Sequence, residues 1–260
     1  MSTPRVKPFR EYAKYYDLIY RDKNYEGECD FVERVLQSFS PTPSRTILDV
    51  GCGTGQHSLL LARRGYALAG IDASEVAIEI AREKARRYQL QMDFFQADMR
   101  TFDLHRTFDA CISMFAVMDY LTRNEDIQAA LTNIRKHLRR DSLFIFDCWN
   151  GLAVLRILPS VTVKTAEDGN LSLIRVAQPH LNAFEHLCSV DYRMLATRDD
   201  KIIDEIRETH VVRFFFPQEI SKYLHDADFE VLKICPFPEL GGTVDETVWN
   251  ICVICKAGRP

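Results

Sequence analysis

The stretch Ile47-Leu48-Asp49-Val50-Gly51-Cys52-Gly53-Thr54-Gly55 constrains this chain more than any other. An apolar, β-rich run ends in closely spaced glycines, and a helix-forming segment begins after them. Glycine tolerates the sharp turn such a junction needs and lets a ligand touch the main chain. In open α/β sheets, ligands bind in the crevice at the carboxyl ends of the strands. The spacing is G-x-G-x-G, and Gln56 follows instead of the third glycine of the dinucleotide fingerprint. Asp72 closes a second apolar run, Gly70-Ile71-Asp72, about 20 residues on, where a ribose-binding carboxylate belongs. Asp98 follows a third run in Gln96-Ala97-Asp98-Met99, and an acid there can accept a hydrogen bond from an adenine amino group.

Strand and helix signals alternate around this unit. Residues 46–50, 66–71, 92–96, 108–114 and 142–147 read as strands, and 58–64, 75–88 and 127–138 as helices. Near-continuous apolar strands alternating with helices predict a parallel sheet covered on both faces. Upstream, residues 9–38 carry helix-period apolar positions at Phe31, Val32, Val35 and Leu36, until Pro41-Thr42-Pro43 stops the helix. After Trp149 the rhythm changes. Residues 161–165, 172–177, 188–195 and 206–216 alternate like strands, with turn signals at Asp168-Gly169-Asn170 and Asp199-Asp200 and no long helix between. That predicts an antiparallel sheet inserted after the fifth parallel strand. Residues 218–227 return to helix, and 229–235 and 248–256 read as a closing strand pair, joined by a loop around Gly241-Gly242 that is expected to be mobile. The chain thus divides into an N-terminal helical lid (1–45), a cofactor-binding core (46–150), the inserted sheet (151–216) and a closing helix and strand pair (217–260).

Composition narrows the function classes. The 260 residues carry 33 Lys+Arg against 37 Asp+Glu, a formal charge of −4, which argues against a grip on nucleic-acid backbone. No apolar run approaches the length of about 20 residues that a membrane span needs. The start Met1-Ser2-Thr3-Pro4-Arg5-Val6-Lys7-Pro8 lacks the apolar core of a signal peptide. The expectation is a cytoplasmic protein whose eight cysteines are thiols. Cys252 and Cys255 form a CxxC within a strand-like run, where residues three apart face opposite ways, so no metal site is expected.

With these residues in hand, segment 46–149 resembles a class I S-adenosylmethionine-dependent methyltransferase. The resemblance implies a Rossmann-like α/β fold, a seven-stranded sheet whose last strand runs antiparallel. Within that superfamily, Tyr12-Ala13-Lys14-Tyr15-Tyr16-Asp17-Leu18-Ile19-Tyr20, the run Met114-Phe115 and the inserted sheet are similar to sugar methyltransferases, the aminosugar N,N-dimethyl type above all. Carried over, Gly51 and Gly53 admit the methionine portion of S-adenosyl-L-methionine, and Asp49 holds the glycine loop. Asp72, with Ala73 beside it, takes the ribose hydroxyls; Asp98 and the Met99 backbone read adenine; Met114 faces the sulfonium. Tyr16 and Tyr25 match positions that lid the cofactor, with ordinary helix packing as the other reading.

The acceptor side is read from residues after the fourth and fifth strands and from the inserted sheet. Asp119 is either a base or the start of a helix, and Tyr120 stands where the aminosugar enzymes carry a His. Trp149 is a platform for a sugar face or ordinary core. Asp147 and Asn150 match metal-ligating positions of catechol-type enzymes only in part, and no metal is expected. Arg175 reads as an anion clamp for a nucleotide-sugar, His210 as a base or a core histidine, and Arg213 as a surface ion pair. Ser113-Met114-Phe115-Ala116 lacks the Asn/Asp-Pro-Pro-aromatic segment of nucleic-acid amino methyltransferases. The expected function is methyl transfer to a hydroxyl or amino group of a small polar acceptor, a sugar or nucleotide-sugar. The alternatives are a regulatory or assembly protein of the same fold and an NAD-dependent oxidoreductase. Exposed edges of the inserted sheet could pair two copies of the chain.

Overall fold

The structure is a computed structural model that describes residues 11–258. Met1 to Pro8, and the expected helical start at Phe9, lie outside the described residues. Eleven strands among the described residues form two sheets. In the larger sheet, β1 (Thr46–Val50), β2 (Ala67–Asp72), β3 (Asp93–Gln96), β4 (Phe108–Ser113) and β5 (Leu138–Trp149) run parallel, and β10 (Phe229–Pro236) and β11 (Asn250–Ala257) complete it. The order is β10-β11-β5-β4-β1-β2-β3, with β11 antiparallel to both neighbours. This is the seven-stranded α/β architecture the sequence predicts.

Alternation along the strands builds two cores. Leu48, Val50, Phe144, Phe146, Val253 and Cys255 face α5 (Asn124–Lys136) and α7 (Pro217–Asp226). Ile47, Leu143, Ile145, Cys252 and Ile254 face α2 (Tyr25–Phe39) and α3 (Gln56–Arg63). Cys252 and Cys255 therefore lie in different cores, as strand geometry requires. A third layer joins Leu59 of α3 to Ile78, Ala81 and Ala85 of α4 (Glu75–Arg87) over Phe94. Ser74 caps α4 by accepting from Ala77 N, and Lys84, Arg86 and Arg87 sit at its negative end.

The second sheet is the four-stranded antiparallel meander β6 (Thr162–Asp168), β7 (Leu171–Asn182), β8 (Leu187–Arg198) and β9 (Lys201–Arg213). Its turns fall at the expected signals: Gly169 at φ +60°, and Asp199 and Asp200 at φ +49° and +61°. One of its apolar clusters, Leu173, Met194, Ala196 and Ile206, packs on Tyr12 and Ile19. Another, Ala177, Cys188, Val190 and Val212, packs beside Tyr120 and Trp149. The sheet is thereby joined to the N-terminal segment and to the open end of the parallel sheet.

Three local features differ from the sequence reading. The N-terminal segment breaks into a 3-10 turn (Tyr12–Tyr15), α1 (Tyr16–Ile19) and α2, because Asn24 caps a new helix by accepting from Gly27 N. A short helix, α6 (Gly151–Ile157), follows β5; Ala153 and Val154 are buried while Leu152, Leu155 and Ile157 are exposed, so apolar residues on both faces leave no helical period to betray it. Strand β5 is also longer than expected, extending at both ends against β4 and β11.

The exits of β1 and β4 approach each other closely. Gly51 has φ +74°, and a Cβ there would stand 2.2 Å from Val117 Cγ1. Left-handed backbone alone costs a non-glycine residue roughly 1–2 kcal/mol, and the overlap adds to it. Gly51→Ala is expected to lower unfolding stability by at least that amount in denaturant melts, while Gly65→Ala, at φ +100° with no atom within 4 Å of its Cβ, loses only the backbone share.

Candidate functional site

The carboxyl ends of β1, β2 and β4 open into a cavity of about 670 Å³, within the range of roughly 300–1,000 Å³ usual for small-molecule sites. The glycine loop forms its floor. Gly51 N and Cys52 N donate to Ile71 O at 2.8 and 3.0 Å, pinning the loop to β2. Asp72 completes the clamp: one carboxylate oxygen accepts from Gly53 N at 2.8 Å and the other from Ser74 N at 2.8 Å. Gly53, at φ +55°, has open space where a Cβ would stand. The loop therefore has room for a ligand against its backbone.

The cavity lining includes Gly51, Gly53, Asp72, Ala73, Asp98, Met99, Met114, Tyr16 and Tyr25 from the expected cofactor set. Asp98 is held by Arg100, which also pairs with Asp126. Asp49 is absent from the lining. It lies wholly buried behind the loop and accepts from Ser58 Oγ of α3 at 2.6 Å. Burial pushes its carboxyl up to about 6, and burial also raises Asp72.

Several polar residues that the sequence reading gave no role reinforce this end. Asp17 of α1 accepts from Thr54 Oγ1 at 2.6 Å and Gln56 Nε2 at 3.1 Å, and pairs with Lys84 at 2.6 Å. That carboxylate ties the N-terminal segment to the glycine loop and to α4. His57 lines the cavity with Nε2 2.7 Å from Glu28, its ring edge-on to Tyr25 at 5.1 Å. Burial works to raise the Glu28 carboxyl, but His57 and Lys23 outweigh it and hold it below the ordinary value. Asp17 lies inside the tyrosine run quoted for the resemblance, so its signal was there to be weighed; His57 and Glu28 carry none apart from tertiary contact.

At the opposite end the β4 exit turns through Phe115 and Ala116 at φ +75° and +56°. Asp147 holds this strained pair by accepting from both backbone N–H groups, that of Ala116 at 3.0 Å. Asn150 accepts from Leu152 N to start α6 and donates to Asp245 O and Val248 O. Both partial matches to metal ligands are thus occupied in shaping backbone.

The expected acceptor residues separate into two groups. Tyr120, Trp149 and His210 line the cavity together. Tyr120 OH is 2.9 Å from His210 Nδ1, and His210 Nε2 is 3.0 Å from Glu208. The other Glu208 oxygen accepts from Glu11 N and Tyr12 N at 2.9 and 3.1 Å. Burial works to raise the Glu208 carboxyl, but the bonds from His210, Tyr12 and Glu11 outweigh it and hold it below its ordinary value.

Asp119 and Arg175 are corrections. Asp119 is wholly buried, outside the lining, and accepts from Trp149 N at 3.1 Å, so it fastens the turn Val117–Tyr120 to β5 and faces no acceptor. Burial raises its carboxyl strongly. Arg175 stands behind the tyrosine wall, donating to Tyr20 OH at 2.9 Å and Tyr12 OH at 3.3 Å, with its guanidinium against the Tyr20 and Tyr192 rings. Polarity flagged both residues; neither reaches the cleft. Arg213 joins Asn124 and Glu219 away from the cavity.

Comparison with known proteins agrees with this geometry. Residues 47–141 match the family described as a methyltransferase domain. The dTDP-3-amino-3,4,6-trideoxy-alpha-D-glucopyranose N,N-dimethyltransferase of Streptomyces venezuelae is 33% identical over 54% of this chain and 57% of its own. The dTDP-3-amino-3,6-dideoxy-alpha-D-glucopyranose N,N-dimethyltransferase of Streptomyces fradiae is 26% identical over 88% and 87%. In fold, the chain matches an S-adenosylmethionine-dependent methyltransferase from Clostridium acetobutylicum ATCC 824 with a TM-score of 0.81, at 20% identity over 95% and 97% of the two chains. No helix among the described residues is long and apolar enough to cross a membrane.

Asp49 makes the buried floor pH-sensitive. Its folded value of about 6 lies above the ordinary 3.8. Between those values the folded chain holds a proton that the unfolded chain has lost, so this group's contribution to stability falls as pH rises through the window. Asp49→Asn should flatten the slope of unfolding free energy between about pH 4 and pH 6 by up to one proton, read from denaturant melts across that range.

Proposed function

We propose that this chain, an S-adenosylmethionine-dependent methyltransferase, acts on a sugar, free or nucleotide-linked, and methylates it on an amino or hydroxyl group. One observation carries this reading: the cavity runs without interruption from the glycine loop, past Met114 and Phe115, to a wall of Tyr120, Trp149, Val190, Tyr192, His210 and Val212. A parallel sheet alone leaves that end open to water. Here the inserted sheet covers it with aromatic faces and hydrogen-bonding tips, the mixture suited to a sugar's apolar faces and hydroxyl rim. The relatives named for dTDP-aminosugar N,N-dimethylation support the acceptor class and put the amino group first.

When bound, the cofactor supplies an electrophilic methyl on a sulfonium. The chain's own residues then hold and align. Gly51 and Gly53 would admit the methionine portion, Asp72 and Ala73 the ribose, and Asp98 and Met99 the adenine. Met114 would face the sulfonium, with Tyr16 and Tyr25 as its cover. Asp147 keeps the Phe115-Ala116 backbone beside the transfer point. Such positioning can supply up to roughly 7–11 kcal/mol of the barrier.

Two measurements test the reading. Incubation with labelled cofactor and a panel of dTDP-aminosugars, dTDP-sugars and free sugars should transfer label to at least one member; a panel that stays unlabelled while a non-sugar amine or phenol is methylated would overturn the sugar class. Asp72→Ala should weaken S-adenosylhomocysteine binding by about 1.5–3 kcal/mol in calorimetry, as expected for charge-assisted bonds. Unchanged affinity in a variant that melts normally would refute Asp72 as the ribose ligand.

A further inference from the structure

We infer that Lys23 is a positioning residue for methyl transfer: its ammonium, held between the rings of Tyr25 and Phe115, fixes the Phe115 ring between the glycine-loop end of the cavity and the end covered by the inserted sheet. The inference rests on the methyl-transfer activity, whatever the acceptor, and goes beyond it by assigning transfer geometry to a residue outside the cavity lining.

Backbone strain at the β4 exit is the starting point. Phe115 has φ +75° and Ala116 has φ +56°. Left-handed backbone is uncommon for a bulky residue and persists only where the surroundings hold it. Asp147 holds the main chain by accepting from Phe115 N and Ala116 N. The ring is held separately. Lys23 Nζ lies 4.6 Å from its centroid, and Tyr20 meets it edge-on at 5.1 Å with the two planes at 85°. Phe115 is therefore fixed twice, its backbone by an acid of β5 and its ring by a cation of the N-terminal segment.

The surroundings of Lys23 are arranged for this contact. It stands in the turn between α1 and α2, where its N–H donates to Tyr20 O at 3.0 Å and its carbonyl accepts from Tyr25 N at 2.8 Å. Its side chain is only 12% exposed, and Nζ pairs with Glu28. Nζ also lies 4.5 Å from the Tyr25 centroid. Both ring distances fall within the roughly 6 Å over which an ammonium is attracted to a π face. Glu28 is anchored in turn by His57 Nε2 at 2.7 Å. Burying an ammonium costs hydration unless a partner compensates. An uncharged side chain of similar length would fill this space without that cost, but it would lack the attraction to two rings at once.

The place of Phe115 gives the contact its consequence. Among the described residues the cavity lining includes Tyr25, His57, Met114 and Phe115 but not Lys23. A displaced Phe115 ring would alter the passage between the two ends of the cavity. Group transfer between aligned partners is sensitive to displacements of about 1 Å, which can cost about 10²-fold in rate. Standing outside the lining, Lys23 acts through Phe115, so its loss should appear in turnover and spare binding.

The test has two arms. With 4-fluorophenylalanine in place of Phe115 and no acceptor present, Lys23→Met should shift and broaden the fluorine-19 resonance. An unchanged resonance overturns the inference. This arm needs no acceptor, so an unlabelled sugar panel sinks the acceptor class and leaves it to judge Lys23. In kinetics with whichever acceptor the panel identifies, sugar or not, Lys23→Met should lower kcat by roughly 10–10²-fold, with acceptor KM and S-adenosylhomocysteine affinity unchanged. Added to Phe115→Leu, it should lower kcat no further, because the ring it acts on is gone. Lys23→Arg keeps a cation that stacks on aromatic faces and should retain more activity than Lys23→Gln, a comparison that decides the matter even if Lys23→Met does not melt cooperatively. Equal activity in those two variants, a full further loss in the double variant, or a raised acceptor KM at wild-type kcat overturns the inference.

Discussion

The Asp72 carboxylate, bonded at once to Gly53 N and Ser74 N, is the interaction on which the site depends. Left-handed backbone at Gly51, Gly53 and Gly55 turns the chain from β1 into α3. A glycine loop by itself has many conformations, and Asp72 selects the one in which the loop lies against β2. The same carboxylate orders the start of α4. An acid whose burial raises its pKa is retained because two backbone donors compensate for lost hydration.

Buried acids recur with the same structural role. Asp49 fastens β1 to α3, Asp147 fixes the turn after β4, and Asp119 joins the Val117–Tyr120 turn to β5. Each takes a donor from an adjacent element at the carboxyl end of the sheet. The outcome is a rim whose turns are held by side chains and whose floor stays open.

The N-terminal segment and the inserted sheet act as one cover. Arg175 donates to Tyr12 and Tyr20, Glu208 accepts from the backbone of Glu11 and Tyr12, and Leu173, Met194 and Ile206 pack on Tyr12 and Ile19. Charge, hydrogen bonding and apolar contact thus all bind the segment to the sheet. Asp17 extends the attachment to the glycine loop. Movement of this cover would be felt at both ends of the cleft.

Local chemistry made much of this protein legible in its sequence. Period-two and helix-period patterning marked the strands, the doubly covered sheet and the inserted meander, because burial of one face leaves a repeating trace. The glycine spacing and the acid about 20 residues later marked the floor of the cavity, because left-handed turns and strand-end carboxylates are local requirements. Which of the expected acceptor residues line the cavity was decided only by tertiary structure. Asp119 and Arg175 looked as chemical as Tyr120 and His210, yet one is fully buried under a turn and the other stands behind two tyrosines. Glu208, buried in the inserted sheet, finds its backbone partners Glu11 N and Tyr12 N 197 and 196 residues away. Residue type states what a side chain can donate or accept; its facing and its partners arise when distant segments pack, and no local pattern encodes them.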